Sequence, residues 1–403
     1  MATHTFRSDP AEGLDLSDPA LTSDFDAAVS YLVKQCPVAH GPEGYWLISR
    51  YEDVKRLARN PTEFYSGDGI RTYREEGQPA LIPVELDAPD HTKWRQALQP
   101  FFTQQAVGRY RDGITAAAHE LIDAFALDGR ADIAETFANP FPGVAFFREV
   151  LGAPDDDMSM LISVMSDANF GPLEGRPLAW QTIAGYVDAQ LRARQSGPAR
   201  DDLLQHVLDL ELDGEPIDWN DKINAVSLLI SGGLDTTAHV LGGAIWHLAN
   251  NPDWAEQLRS DRALLRDAIE EYLRLHASAF AIGRTTRSPQ TVGQREIPAG
   301  QRVMLGYALA CRDDQVFDDP HTFDPLRSNI GKHLAFGMGP HRCMGSHLAR
   351  LELEIGLNAI LDRFSDLRPD PSGTPTFAVG MMRSAVSLPI LFEASASRPD
   401  EDA

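Results

Sequence analysis

The stretch Phe336-Gly337-Met338-Gly339-Pro340-His341-Arg342-Cys343-Met344-Gly345 constrains the chain more tightly than any other. Three glycines and a proline around one cysteine force the backbone into a tight loop, because glycine takes positive φ without penalty. Such a loop can aim N–H groups at the cysteine sulfur. Leu348, Leu351, Ile355 and Ile360 then recur at helical spacing, so a helix over residues 346–364 would turn its positive end towards the same atom. Both effects favour a thiolate, which serves as a nucleophile or a metal ligand. A lone cysteine is ordinarily a small buried apolar residue, and the surrounding loop argues against that here.

A second constraint lies in residues 221–250, which read as one long helix with Ile223, Val226, Leu229, Ile230, Leu234, Leu241, Ile245 and Leu248 on its apolar positions. Its middle, Ser231-Gly232-Gly233-Leu234-Asp235-Thr236-Thr237, sets two glycines beside an acid and two hydroxyls. Each glycine costs a helix about 1 kcal/mol relative to alanine. Two explanations stand. The helix breaks and Asp235 caps a second one, although no Glu or Gln follows at the third position to complete a capping box. Alternatively the backbone must approach a ligand closely, and Thr236 bonds back to the carbonyl of Gly232.

Phe-Gly-x-Gly-x-His-x-Cys-x-Gly is the pattern of the haem-thiolate monooxygenases, the cytochromes P-450, and the sequence resembles that family at every fixed position. The resemblance implies haem b with Cys343 as the axial iron ligand, Phe336 and Gly345 as fixed members of the loop, and His341 at a haem propionate. A thiolate ligand pushes electron density that favours O–O cleavage. Three further motifs agree, in the family's order. Asp87-Ala88-Pro89-Asp90-His91-Thr92-Lys93-Trp94-Arg95 resembles the stretch whose His and Arg hold propionates, here His91 and Arg95. Gly232-Gly233-Leu234-Asp235-Thr236-Thr237 resembles the oxygen-binding motif, which makes Asp235 the proton relay and Thr236 the hydroxyl that holds water and the reduced oxygen species. Glu271 and Arg274 match an internal Glu-x-x-Arg pair completed by Arg327, whereas periodicity alone would leave the two as an exposed pair of little worth. Arg284 matches another propionate contact; the plainer reading is a surface arginine at a strand start.

Composition sets the outer limits. The 403 residues, 43% of them hydrophobic, can bury a large core, and no linker or repeat divides them. A single domain over residues 1–403 is expected, with residues 1–23 and 393–403 as frayed ends. The net charge of −23 argues against nucleic acid or an anionic membrane as a partner. Apolar stretches such as 225–230 are too short to span a bilayer, the N-terminus carries no signal-like apolar core, and three cysteines suit a reducing compartment, so a cytoplasmic protein is expected. Three cysteines cannot hold a four-cysteine iron–sulfur cluster, and no Gly-x-Gly-x-x-Gly follows a strand. Electrons must then come from elsewhere, and the resemblance implies a ferredoxin with a flavin reductase. Lys332, His333, Arg342, His347 and Arg350 form a basic cluster that would steer it.

The remaining pattern predicts a mainly α fold with a minor antiparallel β region. Helices are expected over residues 24–38, from 49 or 51 to 58, from Pro89-Asp90 onward, over 115–125 and 142–151, and as a pair over 158–194 broken near Gly171 and Gly175. The resemblance makes that pair a mobile lid over the substrate. Strands are expected over 45–49, 301–305, 376–379 and 386–392, and residues 67–83 read as a long ordered loop. After Arg274 the sequence His276-Ala277-Ser278-Ala279-Phe280-Ala281-Ile282-Gly283 lacks the proline many relatives carry. Family positions that line the substrate pocket are filled by Ile70, Tyr73, Phe170, Leu229, Ala279, Phe280, Ile282, Val379 and Met381, nearly all apolar. A neutral, compact hydrophobe such as a terpenoid or substituted aromatic follows, hydroxylated or O-dealkylated with O2. A carboxylate held by Arg71 or Arg74 is the competitor, weakened by Glu75 and Glu76 beside them. Two other functions fit a haem-thiolate protein: a gas sensor without turnover, and a nitric oxide reductase fed directly by a nicotinamide cofactor.

Overall fold

Apolar side chains spaced at 3.6 residues bury one stripe of each helix, and helices accordingly build most of the chain. The structure, a computed structural model, describes residue 21 and residues 24–41, 44–72, 78–154, 156–171 and 175–394. Tyr73, Arg74, Glu75 and Glu76, and most of the two expected frayed ends, lie outside the described residues.

In chain order the elements used below are α1 (Phe25–Lys34), β1 (Val38–His40), β2 (Trp46–Ile48), α2 (Tyr51–Ala58), β3 (Phe64–Tyr65), α3 (Asp90–Leu98), α4 (Arg111–Asp123) and β4 (Arg130–Asp132). The helix pair follows as α5 (Met158–Phe170) and α6 (Arg176–Ser196), then α7 (Trp219–Asn250), α8 (Leu265–Leu275), β5 (Ile282–Thr286), β6 (Arg302–Leu305) and α9 (Ser346–Arg363). The chain closes with β7 (Phe364–Pro369), β8 (Thr376–Val379), β9 (Arg383–Ser387) and β10 (Pro389–Ala394). The expected strand over 386–392 is thus two strands parted at Leu388, and Arg284 lies inside β5.

Two compact units divide these elements: Met1–Thr92 with Leu273–Cys343 and Val379–Arg383, and Lys93–Tyr272 with Met344–Ala378 and Ser384–Ala403. The first holds a five-stranded sheet in the order β1-β2-β6-β5-β3. Its β1–β2, β5–β6 and β3–β5 pairings are antiparallel as expected, and its β2–β6 pairing is parallel. The two strands lie far apart in the sequence, so no hairpin fixes their directions as opposite. Leu47, Ile48, Val303, Met304 and Leu305 fill the sheet's core. Phe280, expected at the substrate, is fully buried in this core, its ring edge-on to Phe25 at 6.2 Å. The second unit packs α7 among the remaining helices and a three-stranded sheet ordered β7-β10-β4. Among the described residues no helix is long and apolar enough to cross a membrane.

Candidate active site

In the first unit the cysteine loop takes the shape its glycines demand. Gly337 and Gly339 lie in the left-handed region at φ 66° and 74°. A Cβ on Gly339 would stand 2.3 Å from the carbonyl oxygen of Ala58, so both conformation and space require glycine. Phe336 accepts the backbone N–H of Cys343 at 2.8 Å, closing the loop, and Cys343 is exposed while Cys36 and Cys311 are buried. Gly345 is the N-cap of α9.

Three cationic or potentially cationic side chains gather in the same unit. His91 is buried and its ring centroid lies 4.1 Å from that of His341, whose Nε2 is 3.2 Å from the Ser66 hydroxyl. Arg284 is buried within β5 and donates to the carbonyl of Gly283 at 2.6 Å, so it is no surface arginine. Burial lowers its pKa from the ordinary arginine value, and Tyr307 and Asp87 offset this in part. Asp87 is itself fixed by the backbone N–H groups of Ser66 at 2.9 Å and Gly67 at 3.0 Å. A desolvated guanidinium gains most from a carboxylate partner. This donor set, beside an exposed cysteine, fits the propionates and iron of a haem. Arg95 is half-buried, one helical turn beyond His91 on α3.

The second unit holds the acid–alcohol pair. Helix α7 runs unbroken through Gly232 and Gly233, which removes the helix-break reading. Thr236 donates its hydroxyl to the carbonyl of Gly232 at 2.8 Å. The two glycines have different reasons: a Cβ on Gly233 would lie 3.1 Å from the Phe146 ring, whereas Gly232 faces open space. Asp235 is half-buried and accepts a hydrogen bond from the Asn169 amide at 2.7 Å. Burial raises its pKa to about 6, with the Asn169 bond pulling the other way. One residue further on, Thr237 bonds the carboxyl of Glu352 on α9, whose pKa burial pushes well above the ordinary value.

Glu271 and Arg274 are both fully buried, which corrects the exposed pair that periodicity gives. Arg274 donates to the carbonyls of Cys311 at 3.0 Å, Pro320 at 2.7 Å and Thr322 at 3.2 Å. Arg327 donates to the carbonyls of Asp318, Asp319 and Thr322, so the two arginines share one acceptor. The apolar candidates of the first unit are drawn together by the backbone: Gly283 donates to the carbonyl of Ile70 at 2.6 Å, and Phe280 and Ala281 donate to that of Met381 at 3.0 and 3.2 Å. Ala279, Ile282, Val379 and Met381 are half-buried; Phe170 and Leu229, also half-buried, belong to the second unit. Of the basic cluster, Lys332, Arg342 and His347 are exposed, His333 is buried, and Arg350 is taken by Glu270 at 2.5 and 2.8 Å. Sequence reasoning missed Asp87, Asn169 and Glu352.

The exposed Cys343 loop of the first unit and the Asp235–Thr236 helix of the second are each compatible with a haem-thiolate oxygenase, and comparison with known proteins shows the family. The Cytochrome P450 family model matches residues 157–390. The cyclomarin C epoxidase CymV of Salinispora arenicola is 34% identical over 342 residues, 82% of this chain and 85% of that protein. The steroid C26-monooxygenase of Mycobacterium tuberculosis is 31% identical, covering 96% of this chain and 98% of its own. Among solved structures, CYP108D1 from Novosphingobium aromaticivorans superposes with a TM-score of 0.84 at 26% identity, over 96% of this chain and all of that one. The chain belongs to the cytochrome P450 family and is a monooxygenase of the bacterial type. Members of the family bind haem b through a cysteine thiolate.

Proposed function

We propose that Cys343 is the axial thiolate, that His91, Arg95, Arg284 and His341 hold the propionates, and that Asp235 and Thr236 deliver protons during oxygen insertion into a neutral hydrophobic substrate. When bound, haem supplies the activation of O2, with two electrons and two protons consumed for each oxygen atom inserted. The observation that carries the reading is Thr236 tied to Gly232 beneath Asp235 in an uninterrupted helix. Because the Thr236 hydroxyl proton is spent on that carbonyl, its oxygen is left as an acceptor, suited to ordering a water. Asp235, titrating at about 6, can both take and release a proton near neutrality. Burial favours the protonated form of Glu352, while the Thr237 hydroxyl bonded to its carboxyl pulls the other way.

Thr236→Ala should leave oxygen consumption running while product formed per nicotinamide oxidised falls roughly tenfold, the deficit appearing as peroxide or water. Unchanged coupling would remove Thr236 from the mechanism. A terpenoid or substituted aromatic is the preferred substrate class, supported by the apolar set of Ile70, Ile282, Val379 and Met381 and by a relative named for steroid oxidation. Spectral titration with matched neutral and carboxylated hydrophobes tests it: tight high-spin shifts confined to the acids, and lost in Arg71→Ala, would reverse the choice. Electrons are assigned to a separate ferredoxin and flavin reductase, in the cytoplasm.

A further inference from the structure

We propose that Asn169 is a positioning residue for the acid of α7: its carboxamide holds Asp235 from the last turn of α5, so proton delivery is linked to where that helix end sits. This rests on the reading of Asp235 as a proton carrier.

Asn169 is itself buried, at 9% exposure, and precedes Phe170, a candidate substrate contact. Helix α5 stops one residue later, where Gly171 donates to the carbonyl of Asp167 at 3.0 Å. A Cβ on Gly171 would stand 2.6 Å from that same oxygen, so the stop is specified locally. Arg176, opening α6, donates to the carbonyl of Gly171 at 3.0 Å and ties the two helices at this end. At the opposite end, buried Arg194 bonds Asp202 and the carbonyl of Gly152 at 2.8 Å, fastening the segments that lead into α5 and out of α6. The pair is therefore clamped at its base, while its other end meets α7 through the Asn169–Asp235 bond.

The neutrality of the amide matters. A lysine or arginine at this place would hold Asp235 ionised, and an apolar residue would leave burial unopposed. An amide offsets burial only in part, which keeps the acid exchangeable near neutrality. The other titratable groups on or bonded to this stretch of α7 are Glu352, on Thr237, and buried His239.

The test uses the haem-loaded protein, with the carbon monoxide band confirming equal loading in every variant. The infrared band of the protonated Asp235 carboxyl, recognised by its loss in Asp235→Asn, gives a titration midpoint; product per nicotinamide gives coupling. In Asn169→Leu, which keeps size but not the donor, the midpoint should rise by roughly one unit and coupling should fall about threefold or more. Midpoint and coupling both at wild-type values would overturn the proposal. Combining Asn169→Asp with Asp235→Asn preserves the bond with its ends exchanged, and should fold yet remain poorly coupled. Full coupling there would show that only the tie between helices matters, against a positioning role. Should Asp235→Asn alone turn over normally, the proton-carrier reading fails and the link to proton delivery with it, even if the infrared shift in Asn169→Leu persists.

Discussion

Single residues here are tuned by what surrounds them more than by their own chemistry. Glu352 is the sharpest case, a carboxyl 2% exposed with Thr237 as its hydrogen-bond partner. Its folded pKa is raised well above the ordinary 4.5, so the folded protein holds a proton that the unfolded chain releases. The stability this residue permits is complete below about pH 4.5 and is lost as pH rises through the folded value. Glu352→Gln keeps the bond to Thr237 without an ionisable proton. Its melting temperature should match wild type near pH 4.5 and exceed it by a margin that widens towards pH 9. Parallel melting profiles across that range would mean that Glu352 is charged in the fold. Asp235 differs only in degree, since it is half-buried and its pKa reaches about 6.

At the scale of the element, the cysteine loop shows sequence dictating shape directly. Gly339→Ala would place a methyl against the Ala58 carbonyl at a φ of 74°, a strain of roughly 1–3 kcal/mol before any clash. The reduced carbon monoxide complex should therefore lose most of its red-shifted Soret intensity through poor haem retention. Cys343→His should instead abolish the red shift while some haem remains bound. If Gly339→Ala kept full intensity and wild-type thermal stability, the loop would be softer than its glycines imply. Such local demands are what the sequence makes legible: glycines in the cysteine loop, a helix start at Asp90, a helix stop at Gly171. Features set by distant partners were hidden. Periodicity put Glu271 and Arg274 on a solvated face because it cannot know that the carbonyls of Cys311, Pro320 and Thr322 receive Arg274. Gly232 and Gly233 read alike in the sequence, as a helix break or as room for a ligand, yet Gly233 answers to the ring of Phe146 from a separate helical segment. Asn169 carries no spacing signal, since its role exists only through Asp235. Phe280 read as a pocket residue because its neighbours do, and its ring turns to Phe25 instead.

For the molecule as a whole, a net charge of −23 repels the acidic ferredoxin proposed above as electron donor, so the proposed docking needs a local exception. The five basic residues adjoining the loop reduce to fewer once paired and buried members are set aside: Glu270 neutralises Arg350 and His333 is buried. In the first unit Lys332 and Arg342 remain exposed, Arg342 next to Cys343 in the chain and Lys332 on a turn whose carbonyl accepts the Tyr51 hydroxyl at 2.8 Å. Two charges on a fixed loop can orient an encounter over about one Debye length, roughly 10 Å at 0.1 M salt. Arg342→Glu should therefore slow reduction by an acidic ferredoxin about tenfold at low ionic strength, with the deficit shrinking towards parity near 0.5 M salt. Stopped-flow reduction at several salt concentrations measures it. Reduction by dithionite, which needs no docked protein, should be far less affected, separating lost steering from damage to the haem loop. A low-salt rate with ferredoxin equal to wild type would leave Arg342 as a solubilising charge and move the docking surface elsewhere.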